Sequence, residues 1–345
     1  MCNIAAYVGD RPAAPILIEL MRRQEGLNGG FFTGLATIHE GRIHYRKLTG
    51  DLQHLLDNTD AASLPGTVGI IHSRTNDGGG DKWSHPFVSG DINEPRFAYV
   101  ANGAAGIFKP RRGEYSAMAE KLHDEGYLLH SRQMLDVHKY NTLSDGSAIH
   151  MSDAMCQLIA KHFDMGKSEE KAMADAFRQM PSEIVGLVLS LAHPDRVFWS
   201  RVSMPMFAGF ADHGAYMASC PTAFPEDAGE PTLLPVTSSG YVNKNSFTAT
   251  PFEDFPARIA PMDASLRHDA YDVIVKALTE GKYTVSKLAK MLDGCYKESD
   301  CYPRGATVYE VLYALHKEGR LTWDVETVDG SFPPLTAPRF NLWLK

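Results

Sequence analysis

The chain opens on a short apolar run, Asn3–Gly9, that reads as a buried strand stopped by Gly9-Asp10. Pro15-Ile-Leu-Ile-Glu-Leu-Met-Arg-Arg then places apolar residues at helical spacing and closes at Gly26. Leu35–His39 and Arg42–Tyr45, split by Glu40-Gly41, predict a hairpin. Val68–Ser73 and Arg96–Ala101 are further strands, and both run straight into polar, glycine-rich stretches. Helical spacing follows at Tyr115–Glu125, Asp153–Phe163 and Glu169–Met180. Strands return at Gly186–Ala192, Val197–Val202, Met206–Phe210 and Tyr216–Ser219. Hairpins early, helices in the middle and hairpins late predict an α+β fold of antiparallel sheets covered by helices.

Phe252–Met262, with two prolines and few apolar anchors, reads as a linker, so two domains are expected, residues 1–257 and 265–345. The second has helical patterns at Asp269–Thr279, Val285–Leu292 and Thr307–Glu318, then strands at Leu321–Val328 and Arg339–Leu344. Three helices followed by a two-stranded ribbon is the order of a winged helix. Such a module binds DNA or serves packing and dimerisation. From Ser265 to Lys345 there are 11 Lys+Arg and 11 Asp+Glu, and the helix that would enter a groove carries Glu310 and Glu318 beside Lys317. Duplex binding needs a basic face to release counterions, so no nucleic acid is expected as a partner. A homo-oligomer through this module is the favoured role.

Composition narrows the class. Apolar residues make up 44% and charged residues 22% of the 345, which is ordinary for a folded soluble chain. A net charge of −8 offers no general attraction to nucleic acid or anionic lipid. No apolar run reaches the length of a membrane span and no basic segment leads into one, so a cytoplasmic protein is expected. Five dispersed cysteines do not form a disulfide framework. Cys295 and Cys301 flank the polar loop Tyr296–Asp300, but no second pair of ligands sits at zinc spacing. Cys156 and Cys220 stand in apolar surroundings and read as small core residues.

The chemistry concentrates at the N-terminus and in three polar clusters. Removing Met1 from Cys2 would expose a thiol and an α-amine on one residue. An α-amine with a pKa near 8 is partly neutral in the cell and can take the thiol proton, so one residue would supply nucleophile and base. The stretch Gly69-Ile-Ile-His-Ser-Arg-Thr-Asn-Asp-Gly-Gly-Gly delivers Arg74 to a turn, where its guanidinium suits a carboxylate or simply ties down the loop. Val100-Ala-Asn-Gly-Ala-Ala-Gly ends in Asn102-Gly103, either an ordinary turn or a side-chain amide and a backbone N–H aimed at an oxyanion. Asp153, in Met151-Ser-Asp-Ala-Met-Cys, opens a helix, where it caps the chain or faces a ligand ammonium.

In this order the motifs resemble the class II glutamine amidotransferase domain, over roughly residues 2–250. The family's Met-Cys-Gly-Ile is Met-Cys-Asn-Ile here, and its Gly-x-x-His-Thr-Arg is Gly69-Ile-Ile-His-Ser-Arg. Leu20-Met-Arg-Arg-Gln-Glu-Gly and Thr33-Gly-Leu-Ala resemble the stretch ahead of its second strand. Ser84-His85-Pro86-Phe87 resembles its Ala-His-Pro-His, Asn102-Gly103 its oxyanion pair, and Ser152-Asp153 its Ser/Thr-Asp. Two departures stand out. Asn3 replaces a glycine, and Arg-Trp-Ala-Thr-His-Gly becomes Arg74-Thr-Asn-Asp-Gly-Gly, which removes a Trp and a His and puts the acid Asp77 beside Arg74.

The resemblance implies a four-layer αββα N-terminal-nucleophile hydrolase sandwich with Cys2 as nucleophile and Asn102 and Gly103 at the oxyanion. It implies Arg74 on the α-carboxylate of glutamine and Asp153 on its α-ammonium, with Asp145 of Leu-Ser-Asp-Gly as a second acid, and His85 ordering the loop. No metal or organic cofactor is implied. The leading reading is hydrolysis of the glutamine amide through a thioester, with ammonia passed to a separate synthase subunit. No synthase domain fits within the last 80 residues. The alternatives are a γ-glutamyl amide hydrolase without ammonia transfer and a weakly catalytic glutamine sensor or scaffold.

Overall fold

The computed structural model describes residues 2–135, 140–260, 262–297 and 301–345. Met1, whose removal is expected, Pro261 in the linker stretch and residues 298–300 in the Cys295–Cys301 loop lie outside the described residues.

The first third builds most of one sheet. It runs β1 (Asn3–Gly9), α1 (Ala13–Arg22), the short α2 (Glu25–Asn28), β2 (Phe32–His39), β3 (Arg42–Thr49), α3 (Leu52–Asn58) and β4 (Val68–Arg74). The middle supplies β5 (Phe87–Gly90), β6 (Pro95–Ala104), α4 (Arg112–Asp124), a small pair β7 (Asn141–Thr142) and β8 (Ala148–Ile149), α5 (Met151–Asp164) and α6 (Glu169–Gln179). Then come β9 (Glu183–Ser190), β10 (Arg196–Arg201), β11 (Phe207–Ala211), β12 (Gly214–Ala218), β13 (Thr232–Leu233), β14 (Ser238–Asn243) and β15 (Thr250–Pro251).

Among the described residues the strands form a seven-stranded sheet, ordered β13-β11-β12-β1-β4-β2-β3, and a six-stranded one, ordered β15-β14-β10-β9-β6-β5. All strand pairings within both are antiparallel. β1 explains its own apolar sequence. Ile4, Ala6 and Val8 point into a core between the sheets, with Val100, Leu187 and Trp199 from the other side. Ala5 and Tyr7 point into a second core under α1. A strand covered on both faces reads as a continuous apolar run rather than an alternating one. A third core lies between the outer face of the second sheet and α4, α5 and α6, around Phe97, Tyr99, Leu158 and Phe177. The layers therefore run helix, sheet, sheet, helix.

The last segment holds α7 (Ala264–Glu280), α8 (Val285–Met291), α9 (Arg304–Lys317) and an antiparallel ribbon of β16 (Leu321–Asp329) and β17 (Thr336–Leu344). It is not insulated from the rest. Ile274, Leu288, Tyr309, Leu312 and Leu342 share one continuous core with Leu17, Leu20 and Phe224. The stretch before it also differs from a bare linker: Phe252 and Phe255 pack on the second sheet's helix core, and Ile259 bridges to Cys301. On the ribbon, Trp323 and Phe332 stay exposed, whereas Phe340 is buried. Every cysteine is free, and burial pushes the Cys156 and Cys220 thiols up. No helix among the described residues is long and apolar enough to cross a membrane.

Candidate active site

β1 is an internal strand, held by β4 on one side and β12 on the other, with Asn3 opposite Ser73 and Ala5 opposite Ala218. Cys2 stands at its head, 8% exposed. Its main-chain nitrogen donates to Asn102 Oδ1 at 2.6 Å, and its Sγ lies 3.8 Å from Thr75 Oγ1. Asn102 belongs to β6, so the two sheets meet at this contact. With Oδ1 engaged by Cys2, the buried Asn102 Nδ2 has no hydrogen-bond partner among the described residues. A buried donor left unpaired costs roughly 1–3 kcal/mol, so this one is open to a partner from outside the protein.

Gly103 follows with φ +135°, a backbone that only glycine adopts without strain. A Cβ there would strike the Glu183 carbonyl and lie 2.8 Å from Ile184 Cα. The pair is not a turn: Asn102 and Gly103 are inside the β6–β9 ladder, opposite Val185 and Ile184. Asn3, the departure from the family's glycine, has its own use. Its Nδ2 donates to the carbonyls of Gln24 at 2.5 Å and Glu25 at 3.1 Å, tying the head of β1 to the α2 segment.

Arg74 closes β4 and is buried. Its Nη1 donates to Trp83 O at 2.8 Å, its Nη2 to Gly78 O at 2.5 Å, and its guanidinium lies 4.1 Å above the Phe32 ring. Loss of hydration lowers its pKa, and the nearby Cys2 and Asp77 charges oppose that shift. It therefore ties down the glycine loop and also holds a cation within electrostatic reach of the thiol.

His85 is enclosed. It stacks on His72 with ring centroids 3.8 Å apart, and neither of its nitrogens has a partner among the described residues. Burial drives His72 down to about 3 and His85 and His150 well below the ordinary value, so all three stay neutral. Asp153 sits in the first turn of α5, fully buried. Its oxygens accept from Ser131 N at 2.7 Å and Gln157 Nε2 at 3.1 Å, and burial raises its pKa. The neighbouring Lys47 ammonium is pulled down to about 8 by burial and partly restored by the Asp153 charge. Asp145, the second acid, is exposed and committed to Arg132 and Ser147.

A cavity of about 290 Å³ opens beside Gly103, with Asp77, Trp83, Tyr140, His150 and Ser152 also on its wall. It brings Gly103 and Asp77 together, while Cys2, Arg74 and Asp153 are not part of that wall. Three neighbours went unread in the sequence. Thr75 and Trp83 had a signal, since each adjoins a motif residue; Lys47 sits in a hairpin strand with none. Among the described residues no group of three or more His, Cys, Asp or Glu is placed to hold a metal.

Cys2 thus heads a central strand and faces the Asn102-Gly103 pair across two stacked antiparallel sheets. Solved structures agree on the fold. The glutamine phosphoribosylpyrophosphate amidotransferase of B. subtilis superposes with a TM-score of 0.58 at 12% identity, over 94% of this chain and 66% of that one. A structure described as the allosteric regulatory enzyme of purine biosynthesis gives 0.58 at 11%, over 100% and 71%. No family model matches.

Sequence relatives point the same way. The glutamine–fructose-6-phosphate aminotransferase (isomerizing) of Chlorobaculum tepidum is 28% identical over 275 residues, 77% of this chain and 40% of that protein. The enzyme of the same name from Methanothermobacter thermautotrophicus is 29% identical over 224 residues, 64% of this chain and 33% of that one. The chain thus spans well under half the length of these relatives. It is similar in sequence to glutamine–fructose-6-phosphate aminotransferases and in fold to a glutamine phosphoribosylpyrophosphate amidotransferase.

Proposed function

We propose that this chain hydrolyses the side-chain amide of glutamine through a thioester on Cys2. The Cys2 thiol gives its proton to the α-amine freed by removal of Met1 and attacks the carboxamide carbon. The carbonyl oxygen becomes an oxyanion between Asn102 Nδ2 and the Gly103 N–H. The intermediate collapses, ammonia leaves with the proton the amine carries, and water cleaves the thioester to give glutamate. The observation that carries this reading is the Asn102 amide, whose oxygen engages the Cys2 nitrogen at 2.6 Å while its buried Nδ2 stands unpartnered. Donors so placed are worth about 2.7–4 kcal/mol in an acyl-transfer transition state.

Arg74 is the cation assigned to the α-carboxylate and His85 the residue that packs its loop. Of the acids, Asp77 lies on the cavity wall, whereas Asp153 is fully buried and already accepts from Ser131 and Gln157. The ammonia is assigned to a separate acceptor subunit, the setting to the cytoplasm, and residues 264–345 to a winged-helix-like module on their element order.

A second reading, hydrolysis of longer γ-glutamyl amides, draws on the cavity beside Gly103, whose wall also carries Met151, Met155 and Met180. The test is a variant with one extra residue before Cys2, compared with Cys2→Ala and wild type. Wild type trimmed to Cys2 should release ammonia from glutamine, and both variants should fold but not turn over. Full turnover in the extended variant overturns the mechanism.

A further inference from the structure

The segment Gln24–Phe31 lies between the nucleophile and the C-terminal segment, and it is fastened to both. Toward the nucleophile, Asn3 Nδ2 holds the Gln24 and Glu25 carbonyls, and Gln24 Nε2 reaches Ile4 O at 3.3 Å. Gly30 N donates to Ser73 Oγ at 2.7 Å and Phe31 N to Arg74 O at 3.1 Å, so the end of β4, from which Thr75 issues, leans on the same segment.

Toward the C-terminal segment, Asn28 Nδ2 donates to the Tyr309 hydroxyl of α9 at 2.8 Å, and the Ser286 hydroxyl of α8 donates to Asn28 Oδ1 at 3.0 Å. The Phe340 ring of β17 occupies the space where a Cβ on Gly26 would be, and Pro338 Cδ lies 2.7 Å from a Cβ placed on Gly30, whose φ is +98°. The Tyr309 side chain is fully buried. Its phenol is held above its ordinary pKa chiefly by burial, with the Cys220 charge and, less, the Cys2 charge adding to the shift.

These contacts form one chain of rigid links from α9 to the thiol. Tyr309 fixes Asn28, Asn28 fixes a segment in which three of the eight residues are glycine, and that segment fixes Asn3 and the end of β4. Misplacing a reacting group by about 1 Å costs on the order of a hundredfold in rate, so a distant support of this kind is felt at the chemistry.

We propose that the C-terminal segment is part of the catalytic centre's frame, with Tyr309 a positioning residue that sets the Cys2 thiol and amine through Asn28 and the Gln24–Phe31 segment. The inference rests on Cys2 being the nucleophile, and it assigns the C-terminal segment a task inside this chain.

The test compares Tyr309→Phe and Ser286→Ala with wild type, and uses Tyr313→Phe, on the same helix but paired outward with Glu230, as control. Two readouts are taken: kcat and KM for glutamine, and the pH profile of Cys2 alkylation by iodoacetamide, followed by mass on the N-terminal peptide. Tyr309→Phe should lower kcat by about tenfold or more, with KM within about twofold, and should displace the alkylation profile. Ser286→Ala should change both in the same direction by less, and Tyr313→Phe should match wild type. Wild-type alkylation profiles and kcat in both Tyr309→Phe and Ser286→Ala overturn the proposal. The alkylation readout needs no turnover. Absence of glutaminase activity in wild type would therefore sink the proposed function and leave the positioning test still readable.

Discussion

Replacing Asn102 by alanine separates the two things its side chain does. In the resting protein the amide makes one contact, from the Cys2 nitrogen at 2.6 Å, and leaves one buried donor without a partner. A neutral hydrogen bond is worth a net ~0.5–1.5 kcal/mol, and an unpaired buried donor costs ~1–3 kcal/mol. Alanine removes both, so the terms largely cancel and fold stability should move by no more than about 1–2 kcal/mol. In a chain of this size that is a change in Tm of a few degrees. The transition state is different. On the proposed mechanism the Nδ2 donor faces the oxyanion there, and its loss should cost ~2.7–4 kcal/mol, or about 10²–10³ in kcat. KM should change little, because the ground-state carbonyl gains less from that donor. The assay is ammonia release under saturating glutamine, alongside thermal unfolding of the same preparations. A variant that keeps kcat within about threefold, or whose whole loss appears in KM, refutes the assignment of Asn102 to the oxyanion.

Glu25 is fully buried, with one carboxylate oxygen accepting from Ser73, Thr33 and the Leu52 N–H, and burial raises its pKa to about 7. A raised acid favours the folded state below its unfolded pKa, near 4.5, and that contribution is lost as pH rises through 7. Wild-type stability should therefore fall by up to about 3 kcal/mol between pH 4.5 and 7.5, and Glu25→Gln, which keeps the accepting oxygen, should flatten that slope in denaturant titrations. Arg74→Lys cannot reproduce the two carbonyl contacts and the ring stacking, so KM for glutamine should rise by about tenfold or more in steady-state kinetics. Deleting residues 264–345 should strip the cover from the α1 core and give an aggregating protein by sedimentation, while the full chain should show no duplex binding in a salt-series titration at physiological ionic strength.

What the sequence made legible was local. The apolar run Asn3–Gly9, the hairpin at Glu40-Gly41 and the strands from Gly186 onward each declare themselves through short-range pattern, and each is present. β14 does not, because Ser238-Ser-Gly-Tyr-Val-Asn is polar; only its pairing between β10 and β15 makes it a strand. β6 runs on to Ala104, three residues past the expected end, since pairing with β9 keeps Asn102 and Gly103 extended where an Asn-Gly pair suggests a turn. The candidate site divides the same way. Each motif residue was visible in its own stretch, but the contact between Cys2 and Asn102 spans a hundred positions, and the enclosure of Asp153 and His85 depends on Ser131, Gln157 and His72.

The place of β1 in its sheet also governs when the enzyme could be made ready. One edge of the strand is met by β4, but the other is met by β12, which begins at Gly214, some two hundred positions downstream. At ~5–20 residues per second of synthesis, roughly 10–40 s pass between the emergence of β1 and that of its second neighbour. During that interval the first residues lie open to a trimming aminopeptidase. Once β12 has closed the sheet, Cys2 is almost wholly covered and the main chain beside it is locked in two ladders. On the mechanism proposed above, freeing the Cys2 amine belongs to that interval, before the protein has folded.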